Sequence, residues 1–368
     1  MGERIGVLGI GGGPAGLAAA IAARAKGFDV TVADGAKPPI DKACGEGLLP
    51  GTIAALSELG VGICPGDGQV FRGVHFVDAA TSAEATFPGA TGFGVRRTVL
   101  HHKMVERAQE CGVTLLWNTP TVGLSTGGAI LGGKVVNAKW IIGADGIHSR
   151  VRRWTSLNTK RQREIRYAQR QHFRVKPWTD CMEIHWGKNA QVYVTPLSDD
   201  EICVALVSRD PRLRLHDAWS EFPWLAGHLR HAQPSSAERG AVTVTRSLLR
   251  VYKGNVALIG DASGSVDAVT AEGLCLSFRQ AIALASALGS GKLENYQRDH
   301  RRLARRPSTM SRLLLLMDRY PSVRKRVLRC LAGEPELFER LLAAHLGETS
   351  PKSLAATGLR FGWQLLTA

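Results

Sequence analysis

Two hydrophobic periods take turns along this chain, and each change of period marks the edge of an element. Ile5, Val7, Leu8 and Ile10 form a short apolar strand that runs into a glycine-rich turn, and residues 17–25 then continue as an alanine-rich helix. Residues 30–33 are a second apolar strand. A helix over 52–59 is followed by two alternating stretches, 70–77 and 83–87, the pattern of a hairpin inserted into an α/β unit. Leu100, Met104 and Ala108 recur at helical spacing, residues 113–117 resume a strand, and residues 140–143 form a fully apolar one. From residue 166 to 208 the pattern changes to strand-like alternation, which predicts a second, antiparallel unit. Helices are expected within 213–231 and strands at 241–250 and 255–259. The last third reads as helices over 272–288, 293–306 and 308–320, with Pro321 and Pro335 opening two more.

The first thirty-four residues carry the strongest local signal. A strand leads into Gly11-Gly12-Gly13-Pro14-Ala15-Gly16, a helix follows, and the next strand ends on Asp34. This is the order and spacing of a dinucleotide-binding βαβ unit. Gly11 lets the chain turn off the strand, Gly13 lets amides approach a pyrophosphate, and Gly16 lets the helix pack close. The helix N-terminus offers unpaired N–H groups and the positive end of its dipole to an anion, and Asp34 is placed to accept hydrogen bonds from a ribose. Residues 35–49 form a long irregular segment holding Lys42-Ala43-Cys44-Gly45-Glu46-Gly47. Loops of this length in compact domains are usually functional, and on pattern alone a plain turn before the next helix fits equally well.

Composition narrows the class. The chain has 368 residues, 44% of them apolar and 21% charged, which suits an ordinary globular protein of about two domains. No apolar run approaches a membrane span, and the first strand starts too early for a signal peptide, so a cytoplasmic location is expected. Seven scattered cysteines without a CxxC pair predict a reducing compartment and no metal site. The net charge of +15 is concentrated: residues 150–176 hold ten basic side chains against one acid, and residues 298–329 hold eleven against two. Solvated helix faces with a few phosphate contacts are the plainest explanation. Peripheral contact with an anionic membrane is the alternative, and nucleic acid is not expected, because no recognisable recognition motif accompanies the charge.

Four landmarks in fixed order carry a resemblance. They are the glycine turn at 11–16; Arg97 with Leu100 behind it; Asp145-Gly146-Ile147-His148-Ser149-Arg150-Val151-Arg152; and Gly260-Asp261-Ala262 followed by Ala271-Glu272-Gly273-Leu274. With them the chain resembles the flavoprotein family that includes the p-hydroxybenzoate hydroxylase-like monooxygenases and the geranylgeranyl reductases, over residues 5 to about 290. The resemblance implies a Rossmann-like α/β FAD-binding domain (1–165 and 235–290), an inserted antiparallel-sheet substrate domain (166–234 with part of 70–95) and a helical C-terminal region (291–368). It implies FAD contacts from Gly11, Gly13, Pro14, Ala15, Gly16, Asp34, Cys44, Gly45, Gly47, Arg97, Val122, Asp145, Gly146, Gly260, Asp261, Gly273 and Leu274. Asp261 would bond the ribityl chain, and the Gly273 amide would face the flavin N1/O2 edge, where charge develops on reduction. Only one glycine fingerprint is present, so NAD(P)H as reductant would bind without a Rossmann domain of its own.

The departures bear on the reaction. Where the hydroxylase branch continues its Gly-Asp motif with a histidine and prolines, this chain has Ser263-Gly264-Ser265-Val266-Asp267-Ala268, which with residues 42–47 looks more like the reductase branch. Where reductases carry Tyr-x-Trp-x-Phe-Pro, and related halogenases Trp-x-Trp-x-Ile-Pro, it has Tyr193-Val194-Thr195-Pro196. That element with the arginine-rich tail is most similar to bacterial hydroxylases of polyketide or phenolic-lipid pathways. The leading expectation is therefore an NAD(P)H-dependent FAD monooxygenase of an aromatic or lipophilic substrate, acting through a flavin C4a-hydroperoxide, with Tyr193, Thr195 and His185 as candidate substrate contacts. The alternative is a reductase of isoprenoid double bonds with Cys44 or a nearby acid as proton donor. A non-catalytic flavin-binding module at a membrane or partner is the reading from another class.

Overall fold

A computed structural model describes residues 5–79, 81–157, 162–347 and 351–367, so the first four residues and part of the first basic stretch lie outside the described residues. Ile5–Ile10 lies inside a sheet, pairing in parallel with Lys134–Gly143 on one side and Val30–Ala33 on the other. Thr114–Leu116 extends the sheet beyond Val30–Ala33, and Val256–Leu258 extends it beyond Lys134–Gly143, both in parallel. Parallel strands need crossovers and cover on both faces. Helix α1 (Pro14–Arg24) supplies the first crossover, and its small side chains let it lie close on the sheet; Leu17, Ala18 and Ala23 are fully buried. Burying a leucine such as Leu17 stabilises by about 1.5–3 kcal/mol. Helices α2 (Pro50–Glu58), α3 (Arg97–Glu110) and the short α4 (Arg150–Trp154) follow in the same half.

The second sheet runs Gly264–Ser265, Arg239–Ser247, Gln162–Arg174, Glu201–Ser208, Ala190–Ser198, Cys181–Trp186, Gly73–Asp78, Thr81–Thr86. It is antiparallel except between Cys181–Trp186 and Gly73–Asp78. The hairpin predicted near 70–87 thus joins this sheet's edge, and Arg239–Ser247 pairs with Gln162–Arg174 although the sequence division places 235–290 in the first unit. The central strands are buried on both faces. Met182, Ile184, Trp186, Tyr193, Ala205 and Val207 face one apolar cluster, while Val192, Val194, Val204 and Leu206 face another, capped by helix α5 (Pro223–Leu229).

Helix α6 (Gly273–Ser290) packs beside α1 in the first core. It is followed by α7 (Leu293–Arg319), α8 (Pro321–Gly333), α9 (Pro335–Leu346) and α10 (Pro351–Thr367). Here the sequence reading needs correction: the two helices expected on either side of Pro307 are one continuous helix. Proline in a helix interior costs about 3 kcal/mol through its missing N–H and its ring clash. The cost is met by packing on both sides of it, with Tyr296 and His300 buried before the proline and Ser311, Leu314 and Met317 buried after it. Pro321 and Pro335 do open the next two helices, as expected, and Pro351 opens a further one. Among the described residues, no helix is long and apolar enough to cross a membrane.

Candidate cofactor and substrate site

A cavity of about 580 Å³ lies where the two sheets meet. Its first wall is the glycine turn. Gly11 has φ +110°, and a Cβ on Gly16 would stand 1.9 Å from the Gly11 carbonyl oxygen, so helix and strand approach as only glycine allows. The N-terminus of α1 has no side-chain cap, which leaves its first amides and its dipole for an anion. The Asp34 carboxylate accepts hydrogen bonds from Gly12 N–H at 2.6 Å and Ala36 N–H at 2.8 Å and also lines the cavity. Behind the turn, buried His101 lies 2.9 Å through Nε2 from the Gly12 carbonyl, and burial lowers its pKa, which keeps it neutral.

Opposite stand the other landmarks. Arg97 lines the cavity with its buried Nε lacking a hydrogen-bond partner. Asp145 lines it too, but its carboxylate is committed to Ser149 Oγ at 2.5 Å and the amides of Arg150 and Val151, so it caps α4. Buried Arg152 donates to the carbonyls of Ile147 (2.8 Å) and Ala262 (3.0 Å), tying two landmarks that lie 110 positions apart. Burial and the nearby Arg246 bring its pKa down to about 10. Asp261 sits 3.4 Å from Lys42 Nζ at the cavity edge. Residues 268–273 make a tight turn into α6 with Ala271 in the left-handed region at φ 54°. The turn is anchored from beneath by an ion pair of Asp267 with Arg166, both buried, and Arg166 Nη1 also donates to Gln191 at 3.0 Å.

The third wall is the loop from Lys42 to Gly47. Half-buried Cys44 lines the cavity, and its Sγ accepts from the Glu46 amide at 3.4 Å. Glu46 is buried in the left-handed region (φ 59°); one carboxylate oxygen accepts from the Arg97 amide at 2.9 Å, and the other lies 2.6 Å from His172 Nε2. Thr195 Oγ1 donates to the Gly45 carbonyl at 2.8 Å, fastening the loop to the second sheet. Donor atoms of Glu46, His172 and Cys203 lie within 4.8 Å of one another, a spacing a metal could use, but Arg170 is already there, 3.8 Å from Glu46 and 3.3 Å from His172 Nδ1. A guanidinium thus fills the cation's role. The remaining wall is apolar: Ala168, Met182, Ala205 and Val207 with Tyr193, whose hydroxyl bonds Gln191 at 3.2 Å and whose pKa burial raises.

Most residues expected from the sequence meet at this cavity: Gly11, Gly13, Pro14, Ala15, Asp34, Cys44, Gly45, Gly47, Arg97, Asp145, Gly146, Asp261, Gly273, Leu274 and Tyr193 all line it. Gly16 and Gly260 stand just behind, as spacers. Two expectations are corrected. His185 points to the other face of the second sheet, bonding Glu183 at 2.9 Å and stacking on Trp224, because its neighbours Ile184 and Trp186 take the face shared with Tyr193. Val122 is half exposed, and the lining positions there are Pro120 and Thr121. Sequence reasoning missed Arg170, Arg166 and the contact between Glu272 and His345, since pairs so distant in sequence leave no local pattern.

These residues fit an FAD. The uncapped helix with its glycine turn suits a pyrophosphate, the unpartnered Arg97 Nε suits a phosphate or ribityl oxygen, and the Gly273 end of α6 suits the flavin's electron-rich edge. Comparison with known proteins agrees. The family model described as FAD binding domain matches residues 4–304. The menaquinone reductase of Mycobacterium tuberculosis is 28% identical over 343 residues, spanning 84% of this chain and 79% of that protein. Digeranylgeranylglycerophospholipid reductase 1 of Methanothermobacter thermautotrophicus is 28% identical, spanning 73% and 72%. The crystal structure of a flavoprotein/dehydrogenase from Cytophaga hutchinsonii superposes with a TM-score of 0.81 at 19% identity, covering 93% of each chain, and shares the fold. The chain belongs to the FAD binding domain family and is an FAD-dependent oxidoreductase.

Proposed function

We propose that the protein reduces carbon–carbon double bonds in the isoprenoid chain of a lipid or lipid-soluble quinone, with Cys44 as proton donor and NAD(P)H as the ultimate electron source. The observation that carries this reading is the position of Cys44 at the boundary between the cofactor motifs and the apolar wall of Met182, Tyr193, Ala205 and Val207. Relatives named for menaquinone and for a digeranylgeranyl lipid support the substrate class.

When bound and reduced, FAD supplies a hydride. Saturating one double bond also takes one proton, which comes from the Cys44 Sγ–H and is later replaced from solvent. The Glu46 amide, 3.4 Å from Sγ, stabilises the thiolate left behind. Gln191 and the buried Tyr193 hold the apolar wall, which excludes water and leaves room for a flexible hydrocarbon. The N-terminus of α6, whose Gly273 lines the cavity, would offer positive potential to a reduced cofactor held there.

The test uses FAD-loaded protein, reduced with dithionite under argon and given a geranylgeranyl lipid or menaquinone in detergent, with products read by mass. The expected product gains two hydrogens, and Cys44→Ala slows turnover by at least about 100-fold while keeping FAD. Near-normal turnover of the variant would remove Cys44 from the mechanism. A product that gains one oxygen atom, formed only in air with a nicotinamide present, would instead establish the hydroxylase that the sequence placed first. No turnover with any electron donor would leave the non-catalytic flavin module.

A further inference from the structure

The outward side of α7 has a composition that neither the core nor the cavity explains. Its exposed positions recur every three or four residues, at Arg302, Arg305, Thr309, Arg312 and Leu316, one continuous stripe along the helix that Tyr320 closes at the C-cap. At the C-terminal end of this stripe Leu313, Leu316 and Tyr320 are 48%, 44% and 45% exposed. Three of the ten large apolar side chains exposed among the described residues therefore fall within eight positions. Around them the exposed charged side chains from Arg312 to Arg329 are all cations: Arg312, Arg319, Lys325, Arg326 and Arg329. The two acids between residues 298 and 329 are diverted. Asp299 pairs with Arg302 at 3.1 Å, and Asp318 turns inward to Arg209 and, at 3.8 Å, to Arg166.

We propose that the α7–α8 face docks the protein on an anionic lipid bilayer, with Leu313, Leu316 and Tyr320 at headgroup depth and the surrounding arginines on lipid phosphates. Apolar side chains inside a cationic frame are what an interfacial helix needs: the hydrocarbon gives insertion, and the guanidiniums select anionic headgroups. Charge complementarity decides for this partner over a second copy of the chain, whose identical +15 surface would repel it. The opposite side of the same helix gives docking a purpose. Leu314 and Met317 pack in the apolar cluster that also contains Tyr193, Ala205 and Val207 of the cavity wall. The helix that carries the stripe therefore packs, on its inner side, on the same apolar cluster as part of the cavity wall. This inference rests on the lipid-substrate reading for its purpose but not for its binding, so the two can fail separately.

The test is flotation of FAD-loaded protein with vesicles of phosphatidylcholine alone or mixed with phosphatidylglycerol. The expected result is binding to the mixed vesicles at low salt, loss of binding as salt rises, and little binding to phosphatidylcholine alone. The double variant Arg312→Glu/Leu316→Glu should weaken vesicle binding by about tenfold or more, with the flavin spectrum, thermal midpoint and turnover of detergent-dispersed substrate unchanged. Both positions are exposed, so these controls separate a docking defect from misfolding. Wild-type protein that ignores phosphatidylglycerol vesicles would overturn the inference, as would a variant that binds like wild type. Two other results would overturn it: tighter binding to duplex DNA than to vesicles, or a dimer in gel filtration that the variant splits. Vesicle binding without reduction of any lipid would keep the docking face and remove the proposed substrate.

Discussion

Glu272 offers a sharp test of how the C-terminal helices meet the cofactor turn. It sits immediately before Gly273, is 8% exposed, and has one carboxylate oxygen without a hydrogen bond, 3.5 Å from His345 Nε2 on α9. That distance would permit an ion pair, but burial disfavours charge on both groups. It pushes the Glu272 carboxyl up to about 8, and it brings His345 down to about 4. Between those limits the pair is neutral. The unfolded chain releases the Glu272 proton above about 4.5 while the folded chain keeps it, so stability from this group falls as pH rises from 4.5 towards 8. His345 acts in the opposite direction: its contribution is complete above 6.5 and is lost as pH falls towards 4. From pH 6.5 to 8 Glu272 loses about 1.6 kcal/mol out of a full span of about 5 kcal/mol, while the last of the His345 change, about 0.4 kcal/mol, is common to wild type and to any variant that keeps His345. Glu272→Gln keeps shape and neutrality and removes the titration. Urea unfolding at constant FAD concentration, followed by tryptophan fluorescence at pH 6.5, 7.25 and 8, should show wild type losing about that much more than the variant. Parallel pH profiles would refute the reasoning, because they would mean that Glu272 is already ionised in the folded protein.

Other outcomes follow from the same geometry. Arg97→Ala should weaken FAD binding by about 1.5–3 kcal/mol, roughly 10–100-fold in Kd by fluorescence quenching, with little change in unfolding of the FAD-free protein. Gly16→Ala puts a methyl group 1.9 Å from the Gly11 carbonyl oxygen and should abolish FAD retention on a desalting column. Asp267→Asn leaves the buried Arg166 short of its counter-charge and should cost about 3–5 kcal/mol in chemical unfolding.

The sequence exposed the cofactor half of the site well because that half is built from local rules. A strand, a glycine turn and a helix must be contiguous, so the residues from Ile5 to Asp34 announce themselves. The segments at 145–152 and 260–274 likewise carry their own turns. The substrate half depends on side-chain parity across strands, which local pattern leaves open: His185 and Tyr193 looked equivalent until the register of Cys181–Trp186 against Ala190–Ser198 put them on opposite faces. The ion pairs of the buried arginines were invisible for another reason. Arg166 with Asp267, and Arg170 with Asp41, join positions more than a hundred residues apart, and nothing near either partner signals the other. Pro307 misled because propensity is a local preference and the packing of Tyr296 and Met317 is not.

The tie from Arg152 to the Ile147 and Ala262 carbonyls has a consequence for biosynthesis. The cavity draws on residues as early as Ile10 and as late as Ser277, and its opposing walls are closed by bonds to segments translated near the end of that span. A growing chain that has made only its first 250 residues holds the glycine turn but lacks the Asp261 and Gly273 walls. A complete cofactor site therefore waits for synthesis through residue 277, and ribosome-stalled chains ending before it should capture no flavin.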